Sequence, residues 1–94
     1  MQMQKIEVVL RNEAGLHARP ASRFVRESNR YKSDIYILNE GIRYNAKSIM
    51  SILSSGIEEG TKLIIQAEGE DEKEAVAALR DLVDNNFGEQ ENET

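Results

Sequence analysis

Residues 6–10, IEVVL, place Ile6, Val8 and Leu10 on one face, the two-residue period of a strand with one side buried. RNEAG interrupts it. From Ala18 to about Tyr31 the period lengthens. At about 100° per residue, Ala21, Phe24, Val25, Ser28 and Tyr31 fall on one side of a helix. SDIYIL (33–38) returns to a strand pattern, and NEG (39–41) reads as a hairpin turn into IRYNA. SIMSILSSG (48–56) predicts a short helix closed by Gly56. TKLIIQAE (61–68) alternates Leu63, Ile65 and Ala67, so it is a fourth strand. DEKEAVAALRDLVDNNF opens on an Asp71…Glu74 capping pair and repeats apolar residues at 76, 79, 82–83 and 87, a third helix.

The order β-α-β-β-α-β-α, with one-sided helices and alternating strands, predicts an α+β fold. Its four-stranded sheet is covered by three helices on one face. Residues 1–87 are expected to form one domain, and the acidic tail 88–94, GEQENET, is expected to be disordered. The chain shows no linker or array-type repeat.

Composition removes several functions. The 94 residues contain no cysteine and one histidine, so neither a disulfide framework nor a closed zinc site is expected. The start MQMQKIEVVL lacks the basic and apolar regions of a signal peptide, and no apolar run approaches a membrane span. A soluble cytoplasmic protein is the expectation. The net charge of −5 conceals an asymmetry. Residues 1–57 carry nine Lys/Arg against five Asp/Glu, whereas residues 58–94 carry three against twelve. An acidic chain with five aromatic residues is a poor duplex binder. The basic half better suits docking to an acidic protein.

The only histidine, His17, stands two residues before Arg19, and the only proline, Pro20, follows. If Ala18 opens the helix, His17 is its N-cap and Pro20 occupies the third helical position. Proline is tolerated there because first-turn amides lack an intrahelical acceptor. The free amides at Ala18 and Arg19, with the Arg19 guanidinium, make an anion site beside the imidazole. Gly15 permits a tight turn that leaves the ring open to solvent. The residues themselves leave two readings: a surface cap, or a reactive nucleophile that carries an anion. No second metal ligand is evident.

G-L-H-A-R-P-A-S, residues 15–22, resembles the active-site signature of HPr, the histidine-containing phosphocarrier family of the bacterial sugar phosphotransferase system. The likeness runs from about residue 4 to 87 and implies the HPr-like open-faced sandwich with an antiparallel sheet. It also implies that His17 Nδ1 takes a phosphoryl group from phosphorylated Enzyme I, which is charged by phosphoenolpyruvate. The group then passes to sugar-permease A components, while Arg19 stabilises the phosphohistidine. Such a protein is a covalent relay rather than an ordinary enzyme, and needs no metal or organic cofactor.

Ser48 suits an N-cap on its own account. N-A-K-S-I-M also resembles the regulatory serine site of HPr proteins from low-GC Gram-positive bacteria. That likeness implies phosphorylation of Ser48 by the ATP-dependent HPr kinase/phosphorylase. The phosphoserine form would serve as corepressor of the catabolite control repressor. On the short helix, Ile49, Met50 and Leu53 are expected to be exposed for docking and Ile52 to point inward. Lys47, Ala18, Ala21, Arg23 and Arg26 complete the expected docking surface. Arg19, Arg23, Arg26 and Arg30 fall within roughly 60° of one another, opposite the apolar face of the first helix. Gly15 and Pro20 shape the backbone.

F-V-x-E-x-N-R and G-E-D-E are similar to a regulatory paralogue of this family, which keeps the serine and lacks the active histidine. A signalling module read through Ser48 is therefore the alternative to a carrier. A bare ferredoxin-like interaction domain is weaker. A monomer is expected, with a strand-swapped dimer as the other arrangement the likeness allows.

Overall fold

The structure is a computed structural model, described here for residues 3–88. Of the tail expected at 88–94, Gly88 belongs to a turn, its amide donating to the Asn85 carbonyl at 2.9 Å, and residues 89–94 lie outside the described residues. The elements are β1 (Met3–Val9), α1 (Ala18–Ser28), β2 (Asp34–Asn39), β3 (Ile42–Asn45), α2 (Ile49–Ser55), β4 (Lys62–Glu68) and α3 (Glu72–Asp84). A short 3-10 turn, Asn86–Gly88, follows. The strands form one antiparallel sheet in the order β1-β4-β2-β3. This is the open-faced sandwich expected from the pattern.

Register explains which strand residues reach the core. Ile6 pairs with Ile65, and Ile65 with Ile37, so one row of aliphatic side chains crosses three strands. A one-residue slip would turn this row to solvent. Val8, Ile35, Ile37, Leu63, Ile65 and Ala67 are buried from the sheet. The helices cover them with Ala21 and Phe24 of α1, Ile52 of α2, and Ala75, Val76, Leu79 and Val83 of α3. Ser28 is fully buried in the same α1 stripe because its hydroxyl donates to the Phe24 carbonyl at 2.8 Å. Gly56, left-handed at φ 63°, closes α2 as its position predicts.

Three local expectations are corrected. The α1 pattern continues to Tyr31, but the helix stops at Ser28. There the Asn29 side chain donates to the Val25 carbonyl at 2.9 Å and competes with continued helix. The Asp71…Glu74 capping pair does not form. Asp71 is the N-cap residue, yet its carboxylate makes no cap bond. It accepts instead from the Ser33 hydroxyl (2.6 Å), the Lys32 amide (2.9 Å) and the Ser33 amide (3.0 Å). Glu72, buried, ties the preceding turn to the helix start by accepting from the Gly69 amide at 3.0 Å. Finally, Phe87 leaves the helical repeat. Asn86 and Phe87 both adopt positive φ, which drives the Phe87 ring into the core, edge-on to Phe24 with centroids 6.4 Å apart.

Candidate functional site

The loop entering α1 is built to present His17. The Asn12 side chain, buried, donates to the Gly15 carbonyl at 2.9 Å, and the Gly15 amide donates to the Asn12 carbonyl at 3.2 Å. The Leu16 amide donates to the Ile57 carbonyl at 2.9 Å, and the Leu16 side chain is buried. Gly15 has φ 62°, and a Cβ there would lie 2.5 Å from Ile57 O and 2.8 Å from Glu58 Cα. Only glycine allows this approach. With Leu16 anchored inward, the next side chain, His17, is exposed.

His17 is the N-cap of α1 in extended backbone (φ −123°, ψ 156°), and its imidazole makes no cap hydrogen bond. The ring is thus exposed and unspent at a helix start whose first turn contains no acidic residue. Ala18 is left-handed at φ 46°, an unusual conformation for alanine that costs about 1 kcal/mol. Pro20 is buried, which holds the first turn against the core. Arg19 is exposed, two residues after the histidine in sequence. The arrangement offers an accessible nitrogen nucleophile, a guanidinium close by in the chain, and the positive end of an eleven-residue helix.

The expected arginine stripe is not uniform. Arg23 is half-buried, and its Nη1 donates to the Phe87 carbonyl, so this guanidinium holds the C-terminal turn to α1. Arg30 lies beyond the helix and pairs with Glu27 at 3.2 Å. Arg19 and Arg26 remain exposed. Ala21, expected on the docking surface, is fully buried and belongs to the core face of α1. Ala18 is exposed.

Ser48 is the N-cap of α2, its hydroxyl accepting from the Ser51 amide at 3.2 Å. Ile49, Met50 and Leu53 are 38, 73 and 39% exposed, whereas Ile52 is 0% exposed, as helical spacing predicts. Lys47, expected as a docking cation, is half-buried, and its Nζ donates to the Tyr31 carbonyl at 2.7 Å. Its charge serves the fold first. The residues that sequence reasoning missed are Asn12, Asn29 and the Ile57–Glu58 backbone. Of these, only Asn12 left a signal, in the turn-forming spacing N-x-x-G.

Among the described residues, two ionisations are shifted, those of Asp71 and Tyr31. Asp71 is lowered to about 2, chiefly by the Ser33 hydroxyl and then by the Lys32 amide. Tyr31 is raised, chiefly by burial and then by its hydrogen bond to Glu27. Among the described residues, no group of three or more His, Cys, Asp or Glu could hold a metal ion. Nor is any described helix long and apolar enough to cross a membrane.

An open-faced sandwich that displays an exposed histidine at a helix start is the arrangement implied by the family that the sequence resembles. The family model for the PTS HPr component phosphorylation site matches residues 4–85. The chain is 47% identical over 79 residues to the HPr-like protein Crh of Bacillus subtilis, covering 84% of this chain and 91% of that protein. It is 40% identical over 83 residues to the phosphocarrier protein HPr of Mycoplasma pneumoniae, covering 87 and 94% respectively. Among solved structures, HPr-C-His from Thermoanaerobacter tengcongensis superposes with a TM-score of 0.90 at 41% identity, over 93% of this chain and 98% of that one. The chain belongs to the HPr family: it is a phosphotransferase-system phosphocarrier or HPr-like protein.

Proposed function

We propose that this protein is a phosphocarrier that is charged at His17 and regulated at Ser48. The observation that carries the reading is the exposed, uncommitted imidazole at the start of α1. In the charging step, the Nδ1 lone pair forms a bond to phosphorus as the bond from phosphorus to phosphorylated Enzyme I breaks. Discharge to a sugar-permease A component is the same exchange in the other direction. Arg19 and the helix start hold the phosphoryl oxygens, stabilising the charged form through charge-assisted hydrogen bonds and the helix dipole. Ala18, Arg26, Ile49, Met50 and Leu53 supply the docking surface for both partners. In this reading the protein is a monomer, with a strand-swapped dimer, in which a second copy supplies β1, as the alternative. The setting is cytoplasmic, where both partners work.

Ser48 is the second acceptor, phosphorylated by HPr kinase/phosphorylase, and the phosphoserine form binds the catabolite control repressor. A signalling role through Ser48 alone is the second reading, favoured by the 47% identity to Crh. The test is labelling from two donors. Phosphoenolpyruvate with Enzyme I should label the wild type and Ser48→Ala but not His17→Ala. ATP with the kinase should label the wild type and His17→Ala but not Ser48→Ala. A wild type labelled only by ATP would establish the second reading instead.

A further inference from the structure

Ser48 enters α2 through a peptide unit that is held at both ends. Its own amide donates to the Asn45 carbonyl at 3.1 Å, and the preceding Lys47 carbonyl accepts from Asn29 Nδ2 at 3.2 Å. Asn29 lies eighteen residues upstream, at the C-cap of α1. Its amide nitrogen has two hydrogens, and the other bond goes to the Val25 carbonyl at 2.9 Å. The side chain is therefore already oriented by the last turn of α1, and little further entropy is lost when it engages Lys47. Lys47 is fixed by two more bonds, its amide to Asn45 Oδ1 (2.9 Å) and its Nζ to the Tyr31 carbonyl (2.7 Å).

We propose that Asn29 is a positioning residue for Ser48, holding the Lys47–Ser48 peptide in the orientation that presents the hydroxyl to a kinase. This rests on the reading of Ser48 as a phosphorylation site. In that transfer Ser48 Oγ forms a bond to the γ-phosphorus of ATP while the bond from that phosphorus to the β,γ-bridging oxygen breaks. ADP departs with the electron pair, and the hydroxyl proton passes to a base of the kinase. Asn29 touches none of the reacting atoms. It acts through the Lys47 carbonyl.

The consequence separates KM from kcat. Without the Asn29 bond the peptide spends part of its time turned away. A kinase that binds only the presented arrangement then meets a smaller competent fraction, and its apparent affinity falls by that fraction while the bound complex reacts as before. The bond is solvent-exposed and the bonds to Asn45 and Tyr31 remain, so Asn29→Ala should raise KM about 2-fold at unchanged kcat. Exchange of the Ser48 amide should accelerate by a similar factor with no kinase present.

The experiment follows HPr kinase/phosphorylase and ATP acting on the full chain, wild type and Asn29→Ala, at a temperature where both are folded by circular dichroism. His17 labelling from phosphoenolpyruvate and Enzyme I is measured on the same samples, and should not change. The inference is overturned if KM and Ser48 amide exchange stay at wild-type values. It is also overturned if kcat falls at constant KM, or if His17 labelling falls in parallel, which marks a general loosening. Failure of the kinase to label wild-type Ser48 overturns the reading of that site, and this inference with it.

Discussion

Gly15→Ala is the sharpest perturbation of the loop that carries His17. The added Cβ would meet the Ile57 carbonyl oxygen at 2.5 Å and Glu58 Cα at 2.8 Å, both backbone atoms with no side-chain freedom to yield. The position also has φ 62°, where alanine costs roughly 1–2 kcal/mol. Relieving the contact means separating the loop from residues 57–58. That endangers the Leu16 amide bond to the Ile57 carbonyl at 2.9 Å, worth about 1 kcal/mol, and loosens a buried leucine. Together these place the loss at about 2–4 kcal/mol, a large part of the stability of a domain this small. Urea unfolding of wild type and variant reads this directly, and the melting temperature should fall by about 10 °C or more. Phosphoryl transfer at His17 should also slow, measured well below the melting range, because the ring is carried on the displaced loop. An alanine variant within about 0.5 kcal/mol of wild type and transferring at the same rate would refute the claim that close packing at Gly15 positions the histidine.

The neighbouring Ala18 gives the opposite sign: with φ 46°, Ala18→Gly removes left-handed strain and should stabilise by up to about 1 kcal/mol in urea unfolding, less the larger entropy of glycine in the unfolded chain. Asp71 predicts an acid limb. Its folded carboxyl is lowered to about 2, below its ordinary value of 3.8, so its contribution is complete above that ordinary value and is lost as pH falls toward 2. Asp71→Asn should therefore flatten the dependence of the urea midpoint on pH in that window and lower stability at neutral pH, because the Lys32 and Ser33 donors lose a charged acceptor.

The fold was legible because its elements use two clearly different periods. The strands alternate, the helices repeat every three to four residues, and Gly56 and the Asn39–Gly41 turn punctuate them in the expected places. Two of the errors arose where a side chain chose a distant partner over a local one. The Asp71 carboxylate left its helix for Lys32 and Ser33, 39 and 38 residues away, and no window around residue 71 contains that information. Arg23 was read as part of a charged stripe, but the positive-φ turn at Asn86 and Phe87 brings a carbonyl within its reach. Ala21 illustrates a different limit: its spacing placed it on the apolar face, and the structure keeps it there, away from any partner. The N-cap positions of His17 and Ser48 were legible because local sequence decides geometry at helix starts. The fit of Gly15 against Ile57 was not, since it depends on a backbone more than forty residues away.

The central claim is that His17 carries the phosphoryl group, and phosphorus NMR of the purified protein after incubation with Enzyme I and phosphoenolpyruvate tests it most directly. The account predicts an acid-labile phosphohistidine resonance, which must come from His17 because the chain has no other histidine. No such resonance, with an active control carrier charged in the same tube, would contradict the account and leave phosphorylation at Ser48 as the function.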